Sequence, residues 1–94
     1  MRRRKRQERA GQYRSRAYRQ LQKRLAMNVQ GLRERRGWTQ EQCAFRSNMS
    51  TRLLQRVEAE EANLTLTTLA RLCEGLDADV VDLFAARRRR TRRT

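Results

Sequence analysis

The chain has 94 residues and a formal net charge of +14, with 24 Lys and Arg against 10 Asp and Glu, enough for one small domain and suggestive of a polyanionic partner. No histidine is present, and Cys43 and Cys73 stand too far apart for the usual zinc-ligand spacings. No apolar run approaches the ~18 residues of a membrane span, and the arginine-rich start lacks the apolar stretch of a secretory or twin-arginine signal, so the expected compartment is the cytoplasm, at the nucleoid. No nucleophile-elbow or phosphate-loop glycine pattern suggests an enzyme, and no cofactor is implied.

The charge is divided unevenly. Residues 1–24 carry +10 and residues 87–94 carry +6, while the body from 25 to 86 sums to −2. The block Arg2, Arg3, Arg4, Lys5 and Arg6 repels itself and is expected to stay disordered without a partner. Arg87, Arg88, Arg89, Arg90, Arg92 and Arg93 form a second basic arm. The expected organisation is a basic arm over 1–14, a helical domain over 15–86 and a basic arm over 87–94. With no proline, only four glycines and 5% aromatic residues, the domain reads as all-α.

Ala17, Tyr18, Leu21, Leu25, Val29 and Leu32 recur at helical spacing and predict a long first helix over about 15–36. Gly31 within it costs about 1 kcal/mol relative to alanine. Gly37 ends the helix, and Trp38 is expected to plug the core. Thr39, with Gln42 three residues on, forms a capping box, so a second helix starts at Gln40 and carries Cys43 and Ala44 as a small apolar face. Ser47-Asn48-Met49 breaks the pattern, Asn48 being among the few non-glycine residues that tolerate a left-handed turn. Ser50 caps a third helix with Leu54 and Val57 on one face and Thr51, Arg52, Gln55 and Arg56 on the other. With no glycine after Glu58, this helix is expected to run on for a turn, or to end at Asn63. Thr65 caps a fourth helix, expected to turn Leu66, Leu69, Ala70 and Cys73 inward and to stop at Gly75. Asp79, with Asp82, starts a short fifth helix carrying Val80, Leu83 and Phe84. Both cysteines fall on apolar faces and read as reduced core thiols.

The segment from Thr39 to Glu58 resembles the helix-turn-helix of the Cro/lambda-repressor family, the XRE-type domain. The likeness extends upstream to Leu25, Val29, Leu32, Arg33 and Gly37-Trp38-Thr39-Gln40. Downstream it takes in Asn63 through Leu69, Gly75-Leu76 and Asp79 through Phe84, so that residues 25–84 are covered. It implies a five-helix lambda-repressor-like DNA-binding domain, here with an extended first helix and basic N- and C-terminal arms, acting on double-stranded DNA as a homodimer. It further implies base contacts by Thr51, Arg52, Gln55 and Arg56, backbone contacts by Gln40, Arg46 and Ser50, and a structural salt bridge between Arg33 and Glu58, for which two independent charged surface residues are the other reading. The chemistry agrees, because arginine pairs bidentately with guanine and glutamine with adenine. The plain alternative is four solvated residues on an exposed helix face.

Two features depart from the family pattern. Ala59-Glu60-Glu61-Ala62 puts carboxylates where the family usually carries glycine and basic residues, and carboxylates repel phosphate. Phe45 and Leu53 stand where polar side chains are usual. Exposed together they would form a protein-binding patch; repacking against the long first helix is the other explanation. Three readings of function follow. One is a sequence-specific transcriptional regulator whose arms add phosphate or minor-groove contacts. The second is a nonspecific nucleoid or RNA-binding protein that uses the domain as a scaffold. The third is an antitoxin- or adaptor-type module holding a protein partner.

Overall fold

Five helices account for the regular structure of residues 15–86, the part of the chain that the computed structural model describes. Both arms, with the arginines and the lysine assigned to them, lie outside the described residues. The helices are α1 (Arg16–Arg35), α2 (Gln40–Arg46), α3 (Thr51–Glu58), α4 (Leu66–Leu76) and α5 (Val80–Phe84), with no strand among the described residues. Each starts on a short polar side chain that accepts an otherwise orphaned backbone N–H: Ser15 from Tyr18, Thr39 from Gln42, Ser50 from Leu53, Thr65 from Thr68 and Asp79 from Val81. Thr39 with Gln42 and Asp79 with Asp82 are complete capping boxes.

The helix ends are governed by left-handed residues. After α1, Gly37 adopts φ +70, and Trp38 N–H returns to Arg33 O at 3.1 Å while Gly37 N–H reaches Glu34 O at 3.0 Å. This is the Schellman pair of bonds. The same pair closes α2 around Asn48 at φ 54, α3 around Glu60 at φ 63 and α4 around Asp77 at φ 55. Glu60 therefore stops α3 at Glu58, correcting the expectation that the helix runs on or ends at Asn63: Glu61 N–H bonds Arg56 O at 2.9 Å and turns the chain back. Asp77 likewise ends α4 at Leu76 in place of Gly75. Gly75 serves another purpose. A Cβ there would lie 2.7 Å from Ser47 Cα and 2.9 Å from Arg46 O and would collide with Ser47 Oγ, so its bare backbone lets α4 approach the end of α2.

Leu25, Val29, Cys43, Ala44, Leu54, Val57, Ala62, Leu72, Leu76 and Leu83 form the buried core. Each fully buried leucine or valine contributes about 1.5–3 kcal/mol. α1 packs against α3 and α5, and α2 sits between α3 and α4. On α4 the inward set is Leu72 and Leu76 with half-buried Leu69 and Cys73, whereas Leu66 is 82% exposed and Ala70 is exposed, a rotation of the face expected from sequence. The apolar stripe of α1 is buried only from Leu25 onward; Ala17 is exposed, and Leu21, 49% exposed, lines an open cleft with Tyr18, Leu64, Leu69 and Phe84. On α5, Val80 is 47% exposed and Leu83 carries the burial. Trp38 is half-buried on the core surface rather than inside it. Among the described residues, no helix is long and apolar enough to cross a membrane.

Two polar clamps set the helices against one another. Asn28, buried in α1, donates from its amide to Leu83 O at 3.0 Å and Ala85 O at 2.9 Å, satisfying carbonyls at the end of α5. Arg33 grips Glu58 through Nε to Oε2 at 2.7 Å and Nη2 to Oε1 at 3.1 Å, and its Nη1 donates to Trp38 O at 2.9 Å. The two side chains are 13% and 6% exposed. The hydrogen bond to Glu58 holds the Arg33 guanidinium even more firmly protonated than usual, against the opposing effect of burial.

Removing one partner of such a pair leaves the other charge buried and uncompensated, so Arg33→Ala should lower unfolding free energy by about 3–5 kcal/mol in urea titration. Two changes at positions near helix ends should have opposite signs. Gly75→Ala should cost about 1–3 kcal/mol by overpacking the α2–α4 contact, while Glu60→Gly should add about 1 kcal/mol by relieving a left-handed L-residue; thermal denaturation of both variants checks the pair.

Candidate nucleic-acid interface

α3 is amphipathic in a way that splits structure from chemistry. Leu54 and Val57 are 0% and 2% exposed and fix it to the core, while Arg52, Gln55 and Arg56 are exposed and Thr51 is half-buried. Helical spacing puts Arg52, Gln55 and Arg56 on one outer face within two turns. Among the described residues neither Arg52 nor Arg56 takes part in an ion pair, so both guanidiniums keep their five donors for an external acceptor. The turn Ser47-Asn48-Met49 sets α3 against α2, and the capping bond of Ser50 Oγ with Leu53 N–H at 3.0 Å defines where α3 begins.

The residues around this face have structural partners of their own. Gln40, the first residue of α2, donates from Nε2 to Glu58 Oε1 at 3.0 Å, and its Oε1 accepts from Gln55 Nε2 at 3.4 Å. Sequence reasoning assigned Gln40 to a phosphate and missed both contacts; the only signal was a pair of glutamines at the starts and outer face of adjacent helices. Arg46 stacks over the Trp38 ring with its guanidinium carbon 4.6 Å from the centroid, and Arg36 lies over the same ring at 5.6 Å. Asn28 also escaped notice, although a polar residue between the inward positions Leu25 and Val29 was a readable sign of a buried hydrogen-bonding role.

Phe45 is 85% exposed, whereas Leu53 is half-buried and leans on the core. The two are not exposed together, so the paired patch considered from sequence is reduced to Phe45. Glu60 and Glu61 are both exposed just beyond α3. Cys43 is buried and Cys73 half-buried, both as free thiols, and burial pushes both upward, away from the reactive thiolate. Among the described residues no group of His, Cys, Asp and Glu is arranged to hold a metal ion.

Comparison with known proteins places this geometry. The helix-turn-helix family HTH_3 matches residues 29–83. The structure is similar to that of an HTH_3 family transcriptional regulator from Vibrio cholerae, with TM-score 0.68 and 26% identity over 72% of this chain, which spans 38% of that longer protein. It is also similar to the wild-type restriction-modification controller protein C.Esp1396I, with TM-score 0.62 and 28% identity over 68% of this chain and 83% of the controller. Curated proteins gave no match. With a family match across more than half of its length, on five helices in the order and packing described above, the chain belongs to the HTH_3, XRE-type helix-turn-helix family.

Proposed function

We propose that the protein is a sequence-specific DNA-binding transcriptional regulator that reads the major groove with α3. The observation that carries this reading is the division of α3 itself: Leu54, Val57 and Glu58 lock it to the core, and Arg52, Gln55 and Arg56 stand exposed on its outer side. A rigid helix with outward arginine and glutamine suits a groove about 12 Å wide whose guanine and adenine edges offer bidentate partners. The similarity to a transcriptional regulator and to a restriction-modification controller supports the same conclusion. Ser50 and Arg46 lie near enough to the start of α3 in sequence to serve as backbone contacts beside it.

The basic arms add phosphate contacts and hence affinity without sequence preference, while residues 25–86 sum to a charge of only −2. The protein works as a homodimer on a pseudo-palindromic site, its half-sites about one helical turn apart. Exposed Leu66, Val80 and Val81 on α4 and α5 supply apolar surface that a second copy would bury.

Selection of bound sequences from random DNA should enrich a two-fold symmetric site. On that site Arg52→Ala or Arg56→Ala should each cost about 1–3 kcal/mol and relax preference at one or two base pairs. Equal loss on all sequences would instead favour a nonspecific nucleoid or RNA-binding role, in which deletion of residues 1–14 and 87–94 would abolish binding altogether.

A further inference from the structure

α1 runs for 20 residues, about 30 Å, and its hydrogen bonds mark two flanks. One flank meets α3 and the chain that leaves it: Arg33 grips Glu58, and three turns earlier Gln22 donates from Nε2 to Ala62 O at 3.1 Å. The other meets α5, where Asn28 bonds Leu83 O and Ala85 O. At 3.6 residues per turn, Arg19, Lys23 and Arg16 follow roughly 60–120° round from Gln22, on the side away from Asn28. Spaced three and four apart, they form one stripe along the α3 flank. All three are exposed. Residues 15–24 contain four Lys or Arg and no Asp or Glu, so nothing in that segment offsets them. Among the described residues none of the three takes part in an ion pair, although Glu60 and Glu61 stand exposed just before Ala62.

Resting on the reading that α3 enters the major groove, we propose that this stripe is a second nucleic-acid contact. Arg16, Arg19 and Lys23 bind backbone phosphates of the duplex that α3 reads, outside the base pairs that α3 touches. Three unpaired cations on one rigid helix repel one another, and a polyanion relieves that repulsion. The stripe is seven residues long, about 10 Å, over which one DNA strand presents roughly three phosphates. Its contacts carry no base preference and set where the protein lies along the duplex. The stripe starts directly after the N-cap Ser15, so it continues the charge of the preceding arm sequence along the folded domain.

The test replaces Arg16, Arg19 and Lys23 together by glutamine in the full chain, which keeps helix propensity and removes the charge. Affinity is followed against salt on the selected site and on random DNA. Loss of three phosphate contacts should make the log–log salt slope shallower by about 2–3. Binding should weaken by the same factor on both DNAs, with base preference and denaturation midpoint unchanged. Lys23→Gln alone should change the slope by about 1, whereas Arg71→Gln, which removes an exposed charge from α4, should leave it as it is. A wild-type slope in the triple variant would overturn the inference, and with a shifted midpoint it would assign the stripe to offsetting Glu60 and Glu61 within the fold. So would an effect of Arg71→Gln as large as that of Lys23→Gln, since total charge and not this flank would then set affinity. A wild-type protein without preference for any sequence would instead remove the groove-reading proposal beneath it.

Discussion

The guanidinium of Arg33 meets the carboxylate of Glu58 edge to edge, with bonds of 2.7 and 3.1 Å, at the point where α1 crosses the end of α3. Both groups are largely removed from water, so each depends on the other to be there at all. An apolar contact could hold α3 as tightly, but it would leave the helix free to slide or roll by small amounts. A forked ion pair with a third bond from Arg33 to Trp38 O fixes angle and register together. That is the property a helix needs if its outer side chains are to meet base edges at defined positions.

The ends of the helices show where the sequence was legible and where it was not. Starts were plain, because serine, threonine and aspartate before apolar periodicity have one common use, and Ser15, Thr39, Ser50, Thr65 and Asp79 all serve it. Stops were read well only at Gly37 and Asn48. Glu60 takes the left-handed conformation without being a residue that favours it, and Asp77, whose short polar side chain tolerates it, lies two residues past the more obvious Gly75; at both, the closing bonds to Arg56 and Cys73 carry the decision. Gly75 drew attention as a stop because glycine favours that conformation, while its use is the close approach of α4 to Ser47. The burial of α4 was misjudged by the same register, since the face follows Leu72 and Leu76 rather than Leu66 and Ala70.

The candidate site was partly visible in the sequence, through the outward residues of α3. Its connections were less so, because they join residues far apart in the chain: Arg33 to Glu58 was expected only through the family resemblance, and Gln40 to Glu58 and Gln55 not at all. Periodicity assigns a residue to a face, but it does not say which polar groups across two helices will find one another. The charge pattern adds a second division of labour. The described body holds a precise polar arrangement with almost balanced charge, and the excess positive charge falls in the sequence of the two arms. In the proposed function, discrimination belongs to the first and grip to the second.

Dimethyl sulfate footprinting on a selected site tests the central claim most directly, since the reagent methylates guanine N7 in the major groove and adenine N3 in the minor groove. The account predicts protection of guanine N7 in two clusters about one helical turn apart, lost in part when Arg52 or Arg56 is replaced by alanine. Protection confined to adenine N3, or guanine N7 left fully reactive beneath bound protein, would contradict it.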